Sequence, residues 1–99
     1  MICITAVIRT RAGEEETMKR ALLDVARHVQ EAEPDTRAFF VSQDTGDGRI
    51  FTTYERFTDK AAMDRHNNSA AVARFFATAK PILDGEVVLH IGLEVSAKS

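Results

Sequence analysis

The chain has 99 residues, of which 44% are hydrophobic and 28% are charged, a composition typical of one folded domain and unlike that of a disordered segment. Its formal net charge is −2, with acids and bases interspersed, so a basic surface for nucleic acid or an anionic membrane is not expected. The single cysteine, Cys3, excludes an internal disulfide and a zinc site built on thiolates, and it is interpreted as a small apolar strand residue.

The amino-terminal segment predicts a strand. Residues 2–9, ICITAVIR, are rich in β-branched side chains on both alternating faces, which indicates a strand that is at least partly covered on each side. This apolar run is too short for a membrane span, and no basic residues precede it as they would in a signal sequence. We therefore expect a cytoplasmic protein that makes no membrane contact.

A long amphipathic helix is predicted after Gly13. The three acids at residues 14–16 would complement the positive end of the helix dipole. Pro34 is expected to end the helix, and His28 is interpreted as a solvent-facing partner of Asp24, four residues earlier. Apolar residues recur at helical spacing between these limits, and they are Met18, Ala21, Leu22, Val25, Ala26, Val29 and Ala32.

The next two strands are predicted to form a hairpin. Residues 37–43, RAFFVSQ, and residues 50–57, IFTTYERF, flank the glycine-rich turn DTGDGR. Alternation along the second of these strands places Glu55 and Tyr54 on opposite faces, and the sequence leaves open which face meets the helices. Asp44 and Glu55 have the spacing of an EF-hand loop, but glycines replace its inner oxygen ligands, so a calcium site is not expected.

A broken helical region and a final strand complete the chain. Thr58 or Asp59 can cap a helix that carries Ala62, Met63 and His66, and the sequence NNS, residues 67–69, separates it from a second piece. Residues 86–95, EVVLHIGLEV, alternate as a strand does.

This β-α-β-β-α-β order predicts a ferredoxin-like α+β fold, in which a four-stranded antiparallel sheet carries its helices on one face. We expect a single domain over residues 1–99. The uncovered face would also carry apolar residues from several strands, more than a soluble monomer usually exposes. The sequence therefore predicts a homodimer through the sheet face.

Two stretches carry a further pattern of residue types: EAEPDTRAFFV, residues 31–41, and FTTYERFTDKAAMDRHNNSAAVARFF, residues 51–76. Together they resemble the antibiotic biosynthesis monooxygenase family of dimeric α+β barrels, which includes small quinol monooxygenases. The resemblance extends over about residues 2–95. The matched positions are Glu55, Arg56, Phe57, Asp59, Ala62, Met63, His66 and Ser69.

The resemblance implies a cavity between the sheet and its helices, where an anionic aromatic substrate reduces O₂ without a metal or flavin. Such chemistry needs a base and a site that excludes water. The favoured hypothesis is a cofactor-independent monooxygenase acting on a small phenolic, quinol or polyketide-like aromatic. The alternative is a non-catalytic barrel that binds a small hydrophobic metabolite or acts as an interaction module. The chain has no tryptophan, although one recurs in several characterised branches, and this departure argues against the haem-degrading branch.

The predicted catalytic residues are His66, Glu55 and Tyr54. The ordinary pKa of His66, about 6.5, suits proton transfer near neutral pH, although the ring could instead hydrogen-bond at the helix break. Glu55 would orient His66 if its face meets the helices, or pair across the dimer otherwise. Tyr54 would hydrogen-bond a phenolate or an oxygen-derived anion. The predicted substrate-binding residues are Phe75, Phe76, Phe40, Met63 and Thr5.

Neither a metal site nor a cofactor site is predicted. The three histidines share no metal-ligand spacing, and the glycine-rich phosphate and dinucleotide motifs are absent from the sequence. Core packing is the alternative role for Phe75 and Phe76. His90, on the last strand, is open to a place in either the interface or the cavity.

Overall fold

In the computed structural model, which describes residues 1–98, the strands form one antiparallel sheet in the order β2-β3-β1-β4. The strands are β1 Ile2–Arg9, β2 Thr36–Gln43, β3 Ile50–Phe57 and β4 Val88–Leu93. The helices are α1 Glu15–Ala32, α2 Lys60–Asn67 and α3 Ala70–Ala79, and a short 3₁₀ turn, Lys80–Ile82, follows α3. The predicted ferredoxin-like fold is confirmed, with the second helical region present as two helices. Within the described residues, the helices are too short or too polar to cross a membrane.

The last strand is shorter than the predicted range of residues 86–95. The backbone N–H of Asp84 donates to the Arg9 carbonyl at 2.8 Å. The chain then moves away from β1 before the pairing of β4 with β1 begins. Pairing starts where Val88 lies opposite Val7 and ends near the start of β1. As an edge strand, β4 pairs only with β1, and it extends only over the residues that make this pairing.

A side-chain cap begins each of the helices α2 and α3. Asp59 Oδ1 accepts the Ala62 N–H at 2.8 Å, and Ser69 Oγ accepts the Val72 N–H at 3.2 Å. Each cap satisfies a backbone donor that has no partner within its helix. The break places His66 in the last turn of α2, with its side chain directed at the sheet.

All three helices lie on the same face of the sheet, and β3 shows which face this is. Phe51, Thr53, Glu55 and Phe57 are buried, whereas the residues between them are only partly buried. The strand pairing places the buried side chains of β1 on this same face, which we call the helical face. The question that the sequence left open is settled: Glu55 points towards the helices.

The opposite face, which we call the open face, carries exposed apolar side chains. Phe40 is 59% exposed and Val88 is 51% exposed, and both project from this surface. The edge strand β4 also exposes its other side, because the helices do not extend over it. Its exposed residues on the helical face are Leu89, Ile91 and Leu93.

Candidate active site

His66 is buried where α2 meets the sheet. Its side chain is packed between two aromatic rings, with ring centroids 5.6 Å from Phe39 and 5.4 Å from Phe57. The residue is only 3% exposed. Packing on both sides restricts rotation of the imidazole, so its two nitrogens have fixed and different neighbours.

A carboxylate lies at each nitrogen of this imidazole. Glu33 Oε1 is 2.8 Å from Nδ1, and Glu55 Oε1 is 3.3 Å from Nε2. The other oxygen of Glu55 accepts a hydrogen bond from the Thr53 hydroxyl at 2.8 Å. The imidazole thus bridges two acids, one following α1 and one on β3.

Glu33 is the site residue that the sequence reasoning missed. It follows the last residue of α1, and its N–H donates to the Val29 carbonyl at 3.1 Å, while Pro34 prevents the helix from continuing. The Thr36 hydroxyl donates to Glu33 Oε1 at 2.7 Å, which holds the carboxylate beside His66. The only sequence signal was its position within the family-like stretch at residues 31–41, where it was interpreted as a helix end.

The predicted pairing of His28 with Asp24 is wrong. His28 Nε2 lies 2.8 Å from Glu33 Oε2, although this oxygen has no aligned hydrogen bond and is buried. Asp24 is instead held by Arg27 at 2.9 Å and by Arg74 at 3.3 Å. Guanidinium groups from two helices outcompete the imidazole for this carboxylate, since they stay charged and can donate from several N–H groups.

Burial and charge act in opposite directions on His66. Burial disfavours the protonated ring, but hydrogen bonding and charge from Glu55 and Glu33 outweigh it, so the pKa of His66 is raised above its ordinary value. Near neutral pH the imidazolium is therefore favoured more than in a free histidine. Once deprotonated, the ring is a stronger base than ordinary imidazole, because basicity follows the pKa of the conjugate acid.

A small apolar cavity of about 80 Å³ lies between the helical face and the helices. Its polar groups are concentrated at one wall, formed by Thr53, Glu55, His66 and Asn67. Phe75 and Phe76 form part of its apolar lining, with their rings edge to face and 5.2 Å apart. The predicted cavity is present, and it brings together two of the predicted catalytic residues and two of the predicted substrate-binding residues.

Tyr54, Thr5 and Phe40 do not lie at this cavity. All three project from the open face, because their positions on the strands alternate with those of the cavity residues. The Tyr54 hydroxyl donates to Glu94 on that face. Met63 is also outside the cavity lining, since it packs in the core between sheet and α2. The candidate site therefore comprises His66, Glu55 and Glu33, with Phe75 and Phe76 on the cavity wall.

A second, wider cavity of about 490 Å³ lies on the other side of His66. This outer groove is lined by polar and apolar groups alike, and its polar residues include His28, Glu33, Arg65 and Ser69. Among the described residues, His66 is the one that lines both the outer groove and the inner cavity. Among the described residues, groups of three or more His, Cys, Asp or Glu side chains are not arranged to hold a metal ion. His90 is exposed on the open face.

The family assignment follows from a sequence match together with this fold. Residues 1–78 match the sequence model of the antibiotic biosynthesis monooxygenases. The chain belongs to this family. A search of curated protein sequences finds no match.

Solved structures of similar shape support the fold. PA3566 of Pseudomonas aeruginosa is 24% identical, with a TM-score of 0.87 over 96% of this chain and 94% of that chain. Rv0793 of Mycobacterium tuberculosis is 17% identical, with a TM-score of 0.90 over 99% of this chain and 98% of the other. A structure described as an antibiotic biosynthesis monooxygenase is also 17% identical, with a TM-score of 0.89 over 97% of this chain and 100% of that chain. At this level of identity the likeness concerns the fold alone.

Proposed function

We propose that this protein is a cofactor-independent monooxygenase that oxidises a small phenolic, quinol or polyketide-like aromatic with O₂. The observation that carries the proposal is the Glu33–His66–Glu55 line, which ends at an apolar cavity. A buried base beside an apolar space is what deprotonation of an aromatic hydroxyl requires, since water would otherwise compete for the proton and the anion.

The proposed reaction converts a phenol and O₂ into a quinone and water. The substrate O–H bond breaks as its proton passes to His66 Nε2, and the electron-rich anion is oxidised as its ring carbon bonds to O₂. The O–O bond then breaks. One oxygen stays on the ring as a carbonyl, and the other leaves as water with the ring C–H proton and the proton returned from His66.

Each nitrogen of His66 has a separate role in this scheme. Glu33 accepts from Nδ1, which keeps the proton of the neutral ring on the side away from the cavity. Nε2, beside Glu55, is then the atom available to the substrate. The two carboxylates stabilise the imidazolium that forms when the substrate proton arrives, as their effect on the pKa of His66 indicates.

The size of the cavity limits what can bind. A volume of about 80 Å³ is smaller than the roughly 150 Å³ of an engineered cavity that binds benzene. A substrate ring must therefore displace part of the wall. Phe76 is the wall aromatic with room to move, since it is 38% exposed while Phe75 is 7% exposed.

The same small volume supports a second candidate function, a non-catalytic barrel that binds a small hydrophobic metabolite or acts as an interaction module. In that case the buried acid–imidazole line would serve to join α1, α2 and the sheet. The two candidates differ in whether His66 exchanges protons with a bound molecule.

We also propose that two copies pair through the open face as a cytoplasmic homodimer of single-domain subunits. Exposed Phe40 and Val88 support this pairing, because their burial would remove apolar surface from water. Light scattering is expected to give twice the chain mass of 11.0 kDa. A value equal to the chain mass would contradict the dimer.

The test of the activity is oxygen uptake after anaerobic protein, mixed with each member of a quinol panel, is exposed to O₂. We expect uptake by the wild type and a loss of roughly 10²–10⁴-fold in His66→Ala, the usual contribution of a positioned base. Lys60→Ala is the control, since the Lys60 side chain is 75% exposed on α2 and lines neither the inner cavity nor the outer groove. Equal uptake in His66→Ala and wild type would refute the role of His66, and no uptake above buffer with any quinol would favour the non-catalytic barrel.

A further inference from the structure

His66 is placed where two separate spaces meet. It lines both the inner cavity and the outer groove, and at 3% exposure it has almost no direct contact with solvent. A molecule in the inner cavity would close that side of the ring. Any proton exchange with bulk water must then occur from the Nδ1 side.

A line of titratable groups runs from Nδ1 to the surface. Nδ1 is 2.8 Å from Glu33 Oε1, and Glu33 Oε2 is 2.8 Å from His28 Nε2. Exposure increases along this line, because the His66 side chain is 4% exposed, that of Glu33 is 12% exposed and that of His28 is 28% exposed. Each step is within the distance over which a proton can be transferred directly.

The second oxygen of Glu33 is the unusual member of this line. It is buried, yet it has no aligned hydrogen bond, although the His28 ring is close to it. A buried carboxylate oxygen without a donor is costly in a purely structural ion pair. The same oxygen is free to receive or release a proton when the more exposed His28 ring rotates.

We propose that Glu33 and His28 form a proton path between buried His66 and solvent in the outer groove. The Nδ1–H bond of the imidazolium breaks as an O–H bond forms on Glu33 Oε1, and rotation of the protonated carboxyl group carries this hydrogen to the side of His28. The O–H bond then breaks as an N–H bond forms on His28 Nε2, and the Nδ1–H bond of His28 breaks as its proton passes to water. The reverse sequence recharges His66, so its protonation follows the pH of the solvent while the inner cavity is occupied.

Other charged groups near the ring do not provide this link. Glu55, on β3, faces the inner cavity with His66. In the outer groove, Arg65 of α2 is paired with Asp35 at 3.0 Å, and both side chains are more than half exposed. Neither of these two residues bonds to the His66 ring, so they change the local potential without carrying its proton.

The test measures the exchange rate between the His66 Nδ1 proton and water by NMR on ¹⁵N-labelled full-length protein. We expect His28→Gln to slow this exchange about tenfold or more, a conservative figure given that positioned acid–base groups contribute roughly 10²–10⁴-fold. His90→Gln, which changes an exposed histidine outside the path, should exchange at the wild-type rate. Free imidazole, which is small enough to occupy the outer groove of about 490 Å³, should restore fast exchange in His28→Gln.

Glu33→Gln should slow exchange as well, and imidazole should not rescue it, since the amide cannot relay a proton. If this variant does not fold, the exposed position of His28 still allows the test. Exchange in His28→Gln as fast as in His90→Gln would overturn the path, as would slow exchange that imidazole leaves unchanged.

The use of this path during turnover rests on the proposed function, but the exchange measurement needs no substrate. Exchange that is slow in His28→Gln and restored by imidazole, in a protein that consumes no O₂, would support the path and refute the monooxygenase. Oxygen uptake by the wild type, together with exchange in His28→Gln that is not slowed, would support the monooxygenase and refute the path.

Discussion

The two faces of β3 carry two acid–base clusters that differ both in burial and in the basic group that meets the carboxylates. On the helical face, Glu55 and Glu33 share one buried imidazole. On the open face, Glu94 accepts hydrogen bonds from Nε and Nη2 of Arg56, both at 2.9 Å, and it also accepts from Tyr54. In the first cluster, two carboxylates meet one imidazole beside a cavity. In the second cluster, the single carboxylate is paired with a guanidinium that stays charged.

This difference determines which cluster can take part in proton transfer. The hydrogen bond to Glu94 raises the pKa of Tyr54 to about 12, and the hydrogen bond from Arg56 lowers the pKa of Glu94. Both groups therefore keep one protonation state across the neutral range. The pKa of His66 is also raised, because Glu55 and Glu33 outweigh the effect of burial, but its partners are carboxylates and its imidazole is not a permanent cation like Arg56.

The largest expected difference between the two faces is in packing. Phe57 is 0% exposed on the helical face, and Phe57→Ala should lower the free energy of unfolding by about 3–5 kcal/mol, because the lost ring leaves a cavity. Phe40 is 59% exposed on the open face, and Phe40→Ala should change the stability of the monomer by about 0.5 kcal/mol or less. Urea unfolding at low protein concentration measures both. Similar losses in the two variants would contradict the assignment of the faces.

Replacing one acid on each face should separate their effects on His66. Glu55→Gln removes a carboxylate that stabilises the imidazolium, so the NMR titration midpoint of His66 should move to lower pH. Glu94→Gln should leave that midpoint unchanged, since Glu94 bonds on the other side of the sheet. A midpoint that moves equally in both variants would show that His66 responds to net charge rather than to its neighbour.

The raised pKa of His66 predicts how stability changes with pH. A group whose pKa is higher in the folded than in the unfolded state stabilises the fold fully below the unfolded value, about 6.5, and this contribution is lost as pH rises through the folded value. The free energy of unfolding should therefore fall over that alkaline window. Urea unfolding at a series of pH values should show the fall in wild type and in His90→Gln, and a smaller one in His66→Gln. If the free energy of unfolding falls equally with pH in all three proteins, His66 is not the source of the fall.

The smallest expected effect is local to the open face. Tyr54 is the only tyrosine and the chain has no tryptophan, so the ultraviolet absorbance of the phenolate reports this residue alone. The midpoint should lie near pH 12 in the wild type and move towards the ordinary value of about 10 in Glu94→Gln. A midpoint that is the same in both proteins would mean that Glu94 does not hold the hydroxyl in solution.

Local rules of the sequence were sufficient for most of the fold. The alternation that separates Glu55 from Tyr54, a helix cap at Thr58 or Asp59, and the helix between Gly13 and Pro34 were all predicted from residue type and spacing. Each depends on the geometry of a few successive residues, which the backbone imposes wherever the segment lies. The shortened β4 was not predicted, because its length depends on which of its residues pair with β1 in the folded sheet.

Only part of the candidate site could be predicted from the sequence, because the rest depends on how distant segments pack together. The sequence by itself determined that His66 lies on the buried side of its helix and that Glu55 and Tyr54 cannot share a face. Only the tertiary structure decided that Glu55 faces the helices and that Glu33, 33 residues from His66 in the chain, bonds to its ring. Local periodicity cannot specify such pairs, because they form only when α1, α2 and the sheet pack together and exclude water from the groups between them.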